Sequence, residues 1–406
     1  MKAEWEERPL GEVSTYLNRG LSPKYLEDGG ICVLNQKCVR DHVVNFGPSR
    51  RHDATAKAVA PERIIQVGDV LVNSTGTGTL GRVAQLREAP PEPTTVDSHV
   101  TIVRPRKELF HSEFFGYMLV AIEEQLQAGG EGCGGQTELA RAVLAERYRV
   151  RYPRSKDEQQ RIVDILDEAF DGISKAKANA ERNLENARAV FESAREDALA
   201  PRNGWRTGPL GDLCSIKHGF AFKGEFFTDA GEFVLLTPGS FFERGGYRER
   251  GEKTKYYIGE IPPEFLLNEG DMLTAMTEQA AGLLGSPLIV PESGKFLHNQ
   301  RLGLFVPTPG QPWATKFFFH TMNLARVRKE IHDGGTGAKV RHTSPGRIQA
   351  VQVSYPATEK EQQLVADRLD EISAESERLE RIYEQKLVAL NELKTSLLHH
   401  AFAGAL

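Results

Sequence analysis

The sequence predicts an α+β protein built as an internal repeat: two mixed α/β domains, each followed by one long helix. Three observations carry that reading. Short landmarks recur in the same order at an offset near 200 residues. The stretches between them are rich in Gly, Pro and short β-type runs. Two further stretches lack those breakers and carry a heptad stripe.

The repeat comes first, because missing it would misassign the whole chain. Trp5-x4-Leu10-Gly11-Glu12-Val13 returns as Trp205-x4-Leu210-Gly211-Asp212-Leu213, an offset of 200. Val67-Gly68-Asp69-Val70-Leu71 returns as Glu269-Gly270-Asp271-Met272-Leu273, an offset of 202. Tyr152-Pro153 with Glu158-Gln159-Gln160 returns as Tyr355-Pro356 with Glu361-Gln362-Gln363, an offset of 203, and Leu166-Asp167 returns as Leu369-Asp370. The period is far too long for a solenoid. A duplicated domain-plus-helix unit remains.

Each copy opens with strand-type runs. They are Ile64–Val67, Val70–Val72 and Val100–Val103 in the first, Phe233–Leu236 and Leu302–Val306 in the second. Gly29-Gly30, Pro90-Pro91, Gly245-Gly246 and Pro262-Pro263 supply turns between strands. Helices are expected at Phe114–Leu126 and Trp313–Ile331. The texture changes after Pro153 and Pro356. Residues 158–199 contain no proline and one glycine, Gly172. Their apolar residues, from Ile162, Leu166, Ala169 and Ile173 to Phe191, Ala194 and Ala198, step by 3 and 4 with one stutter. Val365, Leu369, Ile372, Leu379, Tyr383, Leu387, Leu390, Leu393 and Leu397 repeat the pattern. Two helices of roughly 60–65 Å follow at 1.5 Å per residue. A lone stripe of that length needs a partner, and the other copy supplies one of equal length. The pattern alone leaves parallel and antiparallel pairing open. The boundaries are 1–153, 154–200, 201–356 and 357–406.

Composition excludes several classes. The chain has 406 residues, 40% hydrophobic and 26% charged, which suits globular domains rather than disorder. No run approaches the apolar length of a membrane span, and the first residues carry no secretory core. The four cysteines, Cys32, Cys38, Cys133 and Cys214, have no CxxC spacing, so a disulfide framework or structural zinc is not expected and a reducing cytoplasm is the default. Net charge is −5. The helical segments hold the acid: residues 155–199 have 7 Lys and Arg against 11 Asp and Glu, residues 357–402 have 6 against 10. The rest is net basic, with Lys316, Arg326, Arg328, Lys329, Lys339, Arg341 and Arg347 close in sequence. A bulk charge does not exclude a local phosphate-binding face; the plainer reading of the same run is a solvated mixed-charge surface.

Catalytic motifs are missing. No GxxxxGK[ST], HExxH or GxSxG is present. Gly76-Thr77-Gly78-Thr79-Leu80-Gly81 matches GxGxxG, with Asp97 near the ribose-acid distance, but Pro90, Pro91 and Pro93 leave no room for the required helix. A tight turn with close backbone approach fits better. Glu384-Gln385-Lys386 has a nuclease-like spacing but lies on a long helix, as a solvated face. His99 and His298 occupy similar places after each mid-domain loop, and a structural role is the commoner case for such histidines. His399-His400 reads as a helix end. Gly129 to Gly135 with Thr137, and Gly334-Gly335-Thr336-Gly337 followed by Lys339, Arg341 and His342, are late Gly-rich loops. The second suits phosphate approach; the first, with Glu131 and Glu138, reads as a loop tip.

On the twofold landmarks, the heptads and the two Pro-x4-Glu-Gln-Gln boundaries, the chain resembles the specificity subunit of a type I restriction–modification system over its whole length. The resemblance implies two target-recognition domains, each reading one half of a split double-stranded DNA site. It implies that the two long helices run antiparallel as a coiled coil and a ruler between them, giving a pseudo-twofold repeat. It implies no catalytic site and no cofactor on this chain. Two modification subunits, which methylate adenine with S-adenosylmethionine, and two restriction subunits using ATP and Mg would carry the chemistry. One departure is the run of Ala in the first seam, where the family usually places bulkier aliphatics. The DNA-contact residues expected from polar and basic side chains on Gly-rich loops are Lys37, Thr75, Thr77, Arg82 and His99 in the first copy. In the second they are Lys217, Lys223, Thr277, Gln279, Gln300, Lys339 and Arg341. A coiled-coil scaffold that bridges partners without binding DNA is the alternative, and an enzyme is the more distant one.

Overall fold

The computed structural model describes residues 4–130, 138–279, 281–337 and 339–406. The chain forms two compact units, Met1–Glu181 with Gln385–Leu406, and Arg182–Glu384. Each long helix is thus divided between the units, because each half packs onto a different domain core.

The first unit runs β1 (Trp5–Pro9), β2 (Ser14–Arg19), β3 (Tyr25–Leu26), β4 (Ile31–Leu34), β5 (Val39–Arg40), β6 (Val43–Val44), β7 (Arg50–His52), β8 (Val70–Asn73), β9 (Val83–Gln85), β10 (Thr94–Val96) and β11 (Val100–Pro105). Then come α1 (Ser112–Ala121), α2 (Glu123–Ala128), α3 (Arg141–Glu146), β12 (Arg149–Pro153) and α4 (Lys156–Ala198). The second runs β13 (Trp205–Pro209), β14 (Cys214–His218), β15 (Phe227–Thr228), β16 (Phe233–Leu235), β17 (Tyr256–Tyr257), β18 (Met272–Ala275), β19 (Thr277–Glu278), β20 (Pro287–Ile289), β21 (Phe296–Leu297) and β22 (Leu302–Pro307). It continues with α5 (Thr315–Met322), α6 (Ala325–Asp333), β23 (Arg341–His342), α7 (Pro345–Gln349), β24 (Gln352–Pro356) and α8 (Glu359–Ala403).

The sheets repeat. The first unit has an antiparallel sheet β2-β11-β8-β9 and a second sheet β10-β4-β7-β3, in which β10 runs parallel to β4. The second has β14-β22-β18-β20 and β15-β17-β16-β21, with β16 and β21 parallel. The alternation of side chains along a strand explains the continuous apolar runs. Val70 and Val72 join the helix-side core, while Leu71 between them joins the core shared with β4. Met272 and Leu273 divide the same way in the second unit. The run Ile64–Val67 is not a strand: it leaves a 3-10 turn and bends at Gly68, φ 93°, into β8, although Ile65 is buried. The two expected helices each split in two, at Ile122 and at Asn323–Leu324.

The landmarks turn out to be joints. Trp5 pairs with Pro153 across β1 and β12, and Trp205 with Pro356 across β13 and β24. Asp69 caps its turn by accepting from Gln66 N at 2.9 Å, as Asp271 accepts from Asn268 N at 2.8 Å. The middle glutamine of each Glu-Gln-Gln is fully buried. Gln159 accepts from His111 N at 2.7 Å and donates to the carbonyls of Leu109 at 3.0 Å and Pro153 at 2.8 Å. Gln362 does the same with Ala314 N at 2.8 Å and the carbonyls of Pro312 and Pro356, both at 3.2 Å. About two turns further, Asp167 accepts from Tyr117 and Arg87, and Asp370 bonds His320 at 2.9 Å and Lys316 at 2.7 Å. The His320 hydrogen bond, with Lys316 beside it, holds the Asp370 carboxyl below the ordinary aspartate range.

Within each unit α4 and α8 run antiparallel. Lys177 donates to Asn391 at 2.7 Å in the first unit, and Arg188 to Glu380 at 2.8 Å in the second. The seam matches the heptads: Ile162, Leu166, Ile173, Ala180 and Ala187 are buried, so its alanines are packed positions. On α8 the stripe departs at one expected place. Leu393 is 47% exposed, and Lys394 lies inward, 3.0 Å from His42 Nδ1 and 5.3 Å from the Phe170 ring centroid. Between Leu390 and Leu397 the helix takes the step of 4 before the step of 3, through 394, where the sequence pattern allowed 393 equally well. Glu384, Gln385 and Lys386 are exposed on α8. Cys32, Cys38 and Cys214 are buried free thiols, while Cys133 lies outside the described residues.

Candidate nucleic-acid interface

In the first unit the GxGxxG run is the β8–β9 hairpin. Strand β9, not a helix, follows it, which removes the dinucleotide reading. Its glycines serve the turn. Gly76 and Gly81 have φ of 107° and 76°, and a Cβ at Gly81 would stand 2.5 Å from Gln127 N. Asp97 is buried, and burial raises its carboxyl above the ordinary range; it accepts from His99 N at 2.9 Å and so fixes the loop that carries His99.

The hairpin gathers the expected residues of this copy. Thr75 Oγ1 lies 2.7 Å from His99 Nδ1. Arg82 donates to Gly78 O at 2.8 Å, closing the turn, and remains half-exposed. Thr77 is exposed at the tip. Asn73 Nδ2 donates to Gln36 O at 3.0 Å and Thr79 Oγ1 to Gln36 Oε1 at 3.0 Å, which brings exposed Lys37, the next residue, to the same end. Arg19 braces the assembly, donating to Leu139 O at 3.0 Å and pairing with Glu138 at 2.8 Å. The Gly-rich stretch Gly129–Gly135 with Thr137 lies largely within residues 131–137, outside the described residues.

The second copy builds the same place differently. The connection from β18 to β20 is longer and contains β19, which pairs with β23: Thr277 opposite His342, Glu278 opposite Arg341. Buried Glu278 accepts from the amides of Gly282 and Leu283 at 3.0 Å and Leu284 at 2.9 Å, so its carboxylate folds the loop. Thr277 and Arg341 lie on this ribbon, and Gln279 and Lys339 are exposed next to its strands in sequence. Arg341 is partly engaged by the fold, donating to His332 O at 2.5 Å. Lys217 and Gln300 form a second group around the contact between Phe220 and Phe265. Gln300 N bonds Phe220 O at 2.9 Å, and Lys217 donates to Glu264 O at 2.9 Å, 4.5 Å from the Phe265 ring centroid. Lys223 is exposed, 4.0 Å from Glu225.

Two sequence readings change here. His298 is not the counterpart of His99. Ser74 N bonds His99 O at 2.8 Å, and Met276 N bonds Arg301 O at 3.0 Å; Asp97 caps His99 N as Asn299 caps Arg301 N at 3.0 Å. Exposed Arg301 therefore stands where His99 stands, at the offset of 202 that the Gly-Asp landmark already carried. His298 is buried on Leu302 O at 3.0 Å, and burial pushes its imidazole down to about 4, as suits a structural histidine. The basic run 316–347 is also divided. Lys316 pairs with Asp370, Lys329 with Asp333, Arg326 donates to Gln352 O and half-buried Arg328 donates to the loop carbonyls of Glu243 and Gly282. Lys339, Arg341 and Arg347 are left beside the ribbon; Arg347 lies 3.5 Å from Thr336 Oγ1.

Among the described residues no helix is long and apolar enough to cross a membrane. Over 222 residues, 54% of this chain, the sequence is 23% identical to the type I restriction enzyme EcoBI specificity subunit of Escherichia coli, and the match spans 43% of that relative's length. Among solved structures, a chain from a study of complex assembly and conformational transition of the type I R-M system superposes with a TM-score of 0.78 at 16% identity, covering 100% of both chains. The HsdS subunit from Thermoanaerobacter tengcongensis superposes at 0.59 with 17% identity, covering 99% and 97%. These likenesses show the fold. Residues 2–183 and 202–386 each match the type I restriction modification DNA specificity domain, and the chain belongs to that family, carrying the domain twice.

Proposed function

We propose that this chain is the DNA-reading, non-catalytic subunit of a type I restriction–modification assembly. The observation that carries the reading is a shared frame with unlike residues at one place. His99 in the first copy corresponds to Arg301 in the second on matching backbone hydrogen bonds, and the hairpin that carries Thr75 and Thr77 is replaced beside it by the longer connection that carries Thr277 and Gln279. Matched frames with different side chains suit a DNA site in two unlike halves, one for each unit, as paired half-sites suit a symmetric reader. A good bidentate contact to a base contributes about 1–3 kcal/mol of discrimination. Lys37 and Lys339, exposed beside these places, and exposed Lys223 suit phosphates, which position without specifying.

The partners in this reading are double-stranded DNA with a split site, two modification subunits and two restriction subunits. S-adenosylmethionine, ATP and Mg belong to those subunits. The assay is fluorescence anisotropy of the chain with its modification partner on duplexes carrying both half-sites, either one, or neither. Binding that needs both halves supports the reading. Equal binding to all four duplexes at every salt concentration favours a scaffold that meets DNA through its partners alone.

A further inference from the structure

Strands β5 and β6 form a hairpin whose two turn residues, Asp41 and His42, have φ of 53° and 62°. A two-residue turn with both φ positive favours Asn-Gly or Asp-Gly, so a histidine at its second position costs stability. Among the described residues no other non-glycine residue has a positive φ. Strain of this kind persists where neighbouring groups hold it in place. His42 is held at both ring nitrogens: Nε2 lies 2.5 Å from Glu123 Oε2, and Nδ1 lies 3.0 Å from Lys394 Nζ. Glu123 is fixed in turn, because its other oxygen accepts from Val83 N at 3.1 Å. An ammonium only donates, so Nδ1 is the acceptor and Nε2 carries the hydrogen toward Glu123.

Lys394 lies on the inward stripe of α8. Its amine meets the His42 nitrogen and the Phe170 ring rather than a carboxylate. Burial first, and then Lys177 on α4, lower its pKa against the smaller opposing pull of Glu123 and Asp41. At the offset of 203 that matches Pro153 to Pro356, Lys394 corresponds to Phe191, so the fold itself does not call for an amine there. Lys394 and His42 both line a cavity of about 720 Å3 within the first unit, with Phe46, Tyr117, Val120 and Phe170 on its wall. The other charged residues of that wall are Asp41, Glu88 and Arg87, which pairs with Asp167 at 2.9 Å.

We propose that Lys394 is a covalent acceptor for acyl groups delivered as thioesters, with His42 as its base and Glu123 positioning that base. The arrangement is a nucleophile within hydrogen-bond reach of a base that a third group orients. Desolvation favours the free amine, the form of lysine that carries a lone pair. Nζ forms a bond to the thioester carbonyl carbon, and the carbon–sulfur bond breaks with its electron pair on sulfur. Of the two ammonium protons lost, one passes through His42 Nδ1 to the thiolate and one goes to water. The apolar wall suits an aliphatic acyl chain. The reaction needs no DNA, so it stands apart from the reading of a split site.

The test treats the full chain with a small thioester, S-hexanoyl-N-acetylcysteamine, and follows acylation of each lysine by peptide mass spectrometry from about pH 7 to about pH 10. The comparator is Lys386, exposed on the same helix. At about pH 7, Lys394 should react at least about tenfold faster than Lys386, and its rate should level off at a lower pH. Glu123→Gln keeps an oxygen for Val83 N but turns an amide N–H toward His42, which moves the ring hydrogen to Nδ1. The Lys394 rate should then fall by about tenfold or more, with the Lys386 rate unchanged. His42→Gly removes the base and suits the turn better than histidine, so it supplies a second folded variant with the same expected loss. Acylation of Lys394 no faster than that of Lys386, or a Lys394 rate unchanged or raised in both variants, overturns the proposal.

Discussion

Replacing Gln159 by Ala removes three hydrogen bonds from a fully buried amide at the start of α4. It orphans His111 N–H and the carbonyls of Leu109 and Pro153. Each net bond contributes about 1 kcal/mol, and each buried group left unpaired costs about 1–3 kcal/mol. His111 and Leu109 are only half-buried, so water relieves part of the loss. The expected cost is about 3–5 kcal/mol in the first unit, a large part of the stability of one domain. Amide hydrogen exchange read by mass spectrometry localises it. Exchange protection in α1 and the first turns of α4 should fall by roughly two to nearly four powers of ten, with 184–380 unchanged. Gln362→Ala should mirror the result in the second unit, where Ala314 N–H and the carbonyls of Pro312 and Pro356 lose the same amide. A loss below about 1 kcal/mol in both variants would refute the clamp, since even one orphaned buried group should cost that much.

Other outcomes follow from the same geometry. His298 is held near 4 when folded, against about 6.5 in an unfolded chain. The unfolded state then binds the extra proton, so stability is full above pH 6.5 and falls by about 3 kcal/mol as pH drops toward 4; urea titration of the chain and of His298→Asn should show that slope only in the former. Gly81→Ala meets both a left-handed φ and a backbone atom at 2.5 Å, whereas Gly78 has a φ of 75° and open space. Thermal melts should show Gly81→Ala costing more than about 2 kcal/mol and Gly78→Ala about 1 kcal/mol. Arg301→Ala should relax discrimination at one half-site only, by about 1–3 kcal/mol if it reads a base edge; a uniform loss with a shallower salt slope would make it a phosphate contact. Inserting one heptad in both α4 and α8 adds about 10 Å of helix, which should lengthen the preferred spacer by up to roughly three base pairs, read by binding selection from random duplexes.

Much of the frame was legible because it is written twice. Trp5 with Pro153 and Trp205 with Pro356 are strand partners, and the landmark carboxylates and glutamines are joints, so their recurrence was structural information before any fold was known. The heptads marked the two helices well, because burial follows a 3–4 step regardless of context; Leu393 was misassigned only because a lysine, Lys394, occupies the inward position. The site was harder. Thr75, His99 and Gln36 meet through contacts between distant segments, which no local pattern encodes. Chemical likeness paired His99 with His298, while the backbone pairs His99 with Arg301. Arg341 and Lys217 read as free cations and are partly spent on loop carbonyls, a use invisible in composition.

The central claim is that each unit reads one half of a split site. Modified-base sequencing of cells expressing this chain with its modification partner tests it most directly, run on the native sequence and on Thr75→Ala with His99→Ala. The account predicts a two-part methylated motif in the first, and a motif altered in one half only in the second. A contiguous motif, or a variant that changes both halves together, would contradict it.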